Sequence, residues 1–145
     1  TDVLLLDSPA ALGSKSAILP VVLADRVAIV VEPTIPALSD GLKVQEYARS
    51  YGTETAGVLF NKVREEASDV AEQAERHFGG PVLANVPDSD VVRAARLSGE
   101  PRLAHAPESE PAACYRRAAA RLDVRDGDGG AVADRFRSAV VPDTP

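Results

Sequence analysis

Four short apolar runs, at residues 2–6, 26–31, 55–60 and 81–84, are separated by stretches of helical length and period. Runs this short, rich in Val, Ile and Leu and lacking polar alternation, fit strands buried on both faces. Alternating with helices, they predict an α/β fold, a parallel sheet with helices on both faces. Helices are expected at 14–24, bent by Pro20, and at 37–51, where Leu38, Leu42, Gln45 and Ala48 follow successive turns. Residues 65–78 carry acids at the front and Arg76 and His77 at the back, matching the helix dipole, before a Gly79-Gly80-Pro81 stop. Two further helices are expected at 88–99, ending on Gly99, and at 109–122, starting with Ser109 and Pro111.

A chain of 145 residues that is 45% hydrophobic and 26% charged has room for one domain with a real core. That domain is assigned to residues 1–122. The "DVRDGDGG" stretch then reads as a linker, and 123–145 as a flexible, mostly disordered tail. A net charge of −6 excludes nucleic acid as a direct partner, because such binding relies on clustered Lys and Arg. Cys114 is the single cysteine, which excludes a disulfide framework or cysteine metal site and fits a buried helix residue. His77 and His105 have no ligand partner at helical spacing. With no membrane-length apolar run and no signal peptide, the expected location is cytoplasmic. The start at Thr1, almost directly into an apolar run, suggests a piece of a longer chain.

In open parallel sheets ligands lie beyond the carboxyl ends of the strands. The informative residues are therefore Asp7, Glu32-Pro33-Thr34, Asn61-Lys62 and Val86-Pro87-Asp88. An aspartate ending a buried strand is costly unless it is solvated at the rim or binds a cation such as Mg²⁺. Two mechanisms compete for Asp7. It is either a Walker-B-type carboxylate holding the water shell of nucleotide-bound Mg²⁺, or the phosphoacceptor of a receiver-like set with Thr34 and Lys62. Against the second stand Pro9-Ala10 after the aspartate, the strand and two helices after Lys62, and the lack of an earlier acidic pair. Gly13-Ser14-Lys15-Ser16 is not itself a phosphate loop, since Ser14 and Pro9 stand where glycines are needed. It reads instead as a helix start.

Four segments taken in order, "DVLLLDSPAALG" (2–13), "LADRVAIVVEPTIPALSDGLK" (23–43), "GVLFNKV" (57–63) and "VPDSDVVRAARLSGEP" (86–101), resemble the carboxyl-terminal half of a MinD/ParA-type ATPase, closest to the MinD branch. The resemblance runs from residue 2 to about residue 122 and rests on the order of the motifs. It implies a P-loop NTPase-like fold with ATP and Mg²⁺ as cofactors. By resemblance, "DSPAALG" is Walker B plus switch II. Asp7 would hold magnesium through water, and the backbone of Pro9, Ala10 and Ala11 would lie near the γ-phosphate. Asn61 would hydrogen-bond adenine, and Pro87 and Asp88 would line the base pocket. Ala11 departs from the family's glycine. The family's Walker A loop and switch I aspartate have no counterpart in this chain, so no catalytic residue is assigned and the segment alone is expected to be inactive.

The function implied for the parent is an ATP-binding and ATP-hydrolysing dimerisation switch. It would position the cell-division site or the chromosome or plasmid partition machinery. The implied partners are a second copy, bound in a nucleotide-dependent homodimer, and a protein that stimulates hydrolysis. The alternative is a non-enzymatic scaffold of degenerate nucleotide fold using the surface of helix 37–51. The family places the Walker A strand between the strand ending at Asp7 and that ending at Val31, so a gap in the sheet is expected, with the isolated segment poorly stable or else those two strands pairing directly across the gap. The tail segment 132–141, with Val132, Phe136 and Val140 on one face, is a weakly basic candidate for peripheral membrane association.

Overall fold

The computed structural model describes residues 3–9, 15–122 and 127–140. Strands β1 (Arg26–Val31), β2 (Glu54–Val63) and β3 (Val82–Pro87) form a parallel sheet in the order β1-β2-β3. Helices cover both faces, as the periodicity predicts. On one face Ile29, Val31, Val58 and Phe60 are buried against Ala74 and Phe78, and against half-buried Leu38, Leu42 and Val44 of α2 (Ile35–Ser50). The Phe60 and Phe78 rings meet edge to face at 6.1 Å and 82°. On the other face Leu59, Leu83, Ala84 and Val86 pack against Cys114 and Ala118 of α6 (Glu110–Arg121). Phe60, Leu83, Val58 and Val86 are fully buried, each stabilising the fold by about 1.5–3 kcal/mol relative to exposure.

The helix boundaries follow from local chemistry. Thr34 caps α2 by accepting from the Ala37 N–H, and Pro36 occupies the first turn, where no N–H is needed. Ser89 caps α4 (Asp90–Ser98), which ends on Gly99 in the left-handed region at φ 72°. Ser109 caps α6. Gly41 permits the close approach of α2 to the sheet, because a Cβ there would lie 2.5 Å from Val31 Cγ1. Between α4 and α6 lies the single turn α5 (Arg102–His105).

Three expectations are corrected. First, residues 3–6 of the run 2–6 do not join the sheet. Residues 3–9 have no regular structure, and Val3, Leu4, Leu5 and Leu6 are exposed. A strand needs a neighbour for its backbone N–H and C=O groups, and among the described residues β1 pairs on one edge only, with β2. Residues 3–9 therefore do not pair directly with β1 across the expected gap. Second, the helix expected over 65–78 is a 3₁₀ turn (Glu65–Ala67) followed by a shorter α3 (Ser68–Glu75). His77 and Phe78 close it with N–H bonds to the Ala74 and Glu75 carbonyls, which leaves Phe78 turned onto Phe60. Third, the region read as a disordered tail contains α7 (Gly129–Val140).

α7 packs on α1 (Lys15–Leu23), whose Ala17, Val21 and Val22 are buried. Pro20 lies inside α1, as the sequence requires, and its carbonyl accepts from Ala24 N–H. Arg135 of α7 donates from Nε to the Val22 carbonyl at 3.1 Å and from Nη2 to the Ala24 carbonyl at 2.9 Å. It thereby satisfies acceptors that a helix end leaves unpaired. Buried Thr53, just before β2, donates its hydroxyl to the Val21 carbonyl at 2.9 Å. Among the described residues, no helix is long and apolar enough to cross a membrane.

Candidate functional site

β2 and β3 run further than their apolar runs suggest, so Asn61, Lys62 and Pro87 lie within the last residues of strands. Asn61 is half-buried, and its carboxamide has no hydrogen-bond partner among the described residues. Asp88 directly follows β3. Its N–H donates to the Val63 carbonyl at 2.9 Å, which holds the start of the next loop beside the end of β2. The structure thus brings Asn61, Pro87 and Asp88 to one end of adjacent strands.

Charged side chains surround this end. Arg64 Nε lies 2.9 Å from Asp88 Oδ2, and Arg93 Nη1 lies 3.5 Å from Oδ1. The hydrogen bond from Arg64, with the positive charges of Arg64, Arg93 and Lys62, holds the Asp88 carboxyl below its ordinary pKa despite partial desolvation. Arg93 also pairs with Asp90 one helical turn away. Lys62 reaches across to Glu32, immediately after β1, with Nζ 2.5 Å from Oε1. Sequence reasoning singled out neither Arg64 nor Arg93. A basic residue three places beyond a strand-end asparagine carries no signal until the fold sets it opposite Asp88.

Asp7 lies in the irregular segment, exposed and without a side-chain partner among the described residues. Its neighbour Ser8 ties the segment to α1 by donating to the Ala17 carbonyl at 3.1 Å. Pro9 is exposed, and Ala10 and Ala11 lie outside the described residues. Two members of the receiver-like set are engaged elsewhere. Thr34's hydroxyl caps α2 and Lys62's ammonium is held by Glu32. Chemically, the arrangement offers a carboxamide that can donate and accept at once, as a purine edge requires, and an exposed carboxylate suited to the water shell of a hard cation.

A profile of the family described as "4Fe-4S iron sulfur cluster binding proteins, NifH/frxC family" matches residues 15–129. An uncharacterized ATP-binding protein of Methanocaldococcus jannaschii is 32% identical over 122 residues, covering 83% of this chain and 46% of the relative. The septum site-determining protein MinD of Pyrococcus horikoshii, solved with Mg-ADP, superposes with a TM-score of 0.68 at 29% identity. That match covers 81% of this chain and 48% of MinD. The cell division ATPase MinD of Pyrococcus furiosus gives 0.64 at 26% identity, with 81% and 49% covered. The chain thus spans about half the length of the relatives it matches.

The family description names an iron–sulfur cluster, which this chain's own residues do not fit. Such clusters are held by several cysteine thiolates. Cys114 is the single cysteine, buried against β3 with its Sγ 3.3 Å from the Asn85 carbonyl. No group of three or more potential metal ligands occurs among the described residues. The parallel sheet, the order of its motifs and these matches agree: the chain belongs to the NifH/frxC family and is of the MinD/ParA ATPase type within it.

Proposed function

We propose that the chain forms the base-binding and switch half of a Mg-ATP site in an ATPase that dimerises on ATP, hydrolyses it and uses the cycle for spatial positioning in cell division or partition. The observation that carries this reading is the unpartnered Asn61 carboxamide beside Pro87 and Asp88 at the carboxyl ends of β2 and β3. Asn61 reads the adenine edge, Pro87 and Asp88 wall the base, and Asp7 orders the magnesium water shell. Pro9, Ala10 and Ala11, the last two outside the described residues, are assigned the contact with the terminal phosphate on the resemblance alone. Magnesium supplies charge neutralisation at the phosphates. The edge of β1 left unpaired among the described residues and the exposed apolar residues 3–6 support a further strand between them, carrying the phosphate loop.

In the whole protein, binding of Mg-ADP followed by calorimetry tests the reading. Asn61→Ala is expected to weaken binding by about ten-fold, as losing one paired polar contact does. Asp7→Ala is expected to abolish ATP turnover while leaving ADP bound. Unimpaired turnover in Asp7→Ala would sink the magnesium role. A partner protein that stimulates hydrolysis, a nucleotide-dependent homodimer and peripheral attachment to the membrane belong to the same proposal. The scaffold reading is favoured by one feature, the shallow apolar hollow along α2 where exposed Ile35 adjoins half-buried Leu38 and Leu42. It predicts a partner bound equally well with and without nucleotide.

A further inference from the structure

β2 contains one extra residue where it passes the candidate base site. Phe60 pairs with Asn85 and Val63 with Pro87, so three steps along β2 match two along β3. The consequence appears in the packing. In an unbroken strand Phe60 and Val63 would face opposite sides of the sheet, yet both pack in the core beneath α2 and α3. Asn61 and Lys62 together occupy the position of one residue. Lys62 takes the strain of this bulge, with φ at 53°, the single non-glycine at positive φ among the described residues. Glycine or asparagine fills such a position more readily. A lysine there brings a long cationic arm that glycine lacks, and its ammonium is paired to Glu32 at the carboxyl end of β1.

We propose that Lys62 is a positioning residue for purine recognition. The left-handed bulge, tied to β1 through Glu32, sets the direction of the Asn61 carboxamide. This inference rests on the base-binding role given to Asn61 above. Lys62 and Glu32 are both about half exposed, and an ion pair of that kind adds little to stability. Its effect is in orientation, where a misplacement of about 1 Å matters for a directional hydrogen bond.

The test compares the affinities of Mg-ADP and Mg-UDP in the whole protein. Glu32→Gln keeps the shape and removes the charge. Lys62→Val introduces a β-branched residue that disfavours positive φ. The expected result is a loss of ADP-over-UDP preference, about three-fold for Glu32→Gln and about ten-fold for Lys62→Val, with UDP affinity unchanged. The charge swap Glu32→Lys with Lys62→Glu is expected to recover most of the Glu32→Gln loss. Should Lys62→Val fail to fold, Glu32→Gln and the swap decide the matter alone. A preference unchanged in Glu32→Gln and Lys62→Val but lost in Asn61→Ala overturns the positioning role and leaves the base site standing. Equal losses for both nucleotides reduce Lys62 to a stability residue and overturn it as well. A preference unchanged in Asn61→Ala removes the base site, and this inference with it.

Discussion

Arg64 Nε sits 2.9 Å from Asp88 Oδ2, so the residue leaving β2 is tied to the residue leaving β3. Arg93, one turn into α4, approaches the other carboxylate oxygen at 3.5 Å. Two guanidinium groups thus keep Asp88 ionised and hold the loop after β3 against the end of β2.

The Asp88 carboxyl is therefore expected to titrate below ordinary aspartates, and Arg64→Ala to raise its pKa toward the usual range, as followed by carbon-detected NMR. The sign follows from the lowered folded value. Whatever stability the pair contributes is complete above the ordinary carboxylate pKa and is lost as pH falls through the lowered one. An unchanged titration in Arg64→Ala would show that another group sets the charge.

Arg135 holds the end of α1. Removing its guanidinium with Arg135→Ala strips the Val22 carbonyl of α1 and the Ala24 carbonyl just beyond it of this donor and is expected to cost about 1–3 kcal/mol. Hydrogen exchange should accelerate across residues 129–140 while protection of β2 stays unchanged. Equal acceleration in both would mean that α7 unfolds only with the sheet.

Gly57 stands in β2 at φ 149°, where an added Cβ would lie 2.4 Å from the Pro81 carbonyl oxygen and 2.9 Å from the Leu83 side chain. Gly57→Ala is expected to destabilise the fold by more than about 1 kcal/mol, read from the urea midpoint, since both backbone and space oppose it. A midpoint equal to the parent's would show that β3 can shift away.

Cys114 is 1% exposed and packed between α6 and β3. Its thiol is expected to resist a disulfide reagent in the folded protein and react at once in denaturant, because burial denies access to the thiolate. Incubation of this chain with iron and sulfide should yield no visible cluster absorbance. A chromophore that depends on Cys114 would reverse the conclusion that the chain's residues do not fit a cluster.

What the sequence made legible follows physical lines. Ser89, Gly99 and Ser109 mark helix ends because capping is local chemistry, settled within a few residues. Leu38, Leu42 and Ala48 show the buried stripe of α2 because helical period is likewise local. The run at 2–6 has strand composition, but its described residues 3–6 form no strand, since pairing depends on a neighbour rather than on its own residues. Asp128-Gly129-Gly130 reads as linker, yet Asp128 accepts from the N–H groups of Gly130 and Ala131, and α7 then finds α1. The bulge at Lys62 was invisible for the same reason as the strand. It exists only in the register between β2 and β3.

The clasp between Arg135 and Val22 spans 113 positions of sequence. During synthesis α1 leaves the ribosome before β1, β2 and β3, with its final carbonyls still facing water. They receive their donor only when α7 has been made. α1 is thus made before these three strands yet completed after them, and a nascent chain stalled before Arg135 would carry β1, β2 and β3 paired beside an unfinished α1.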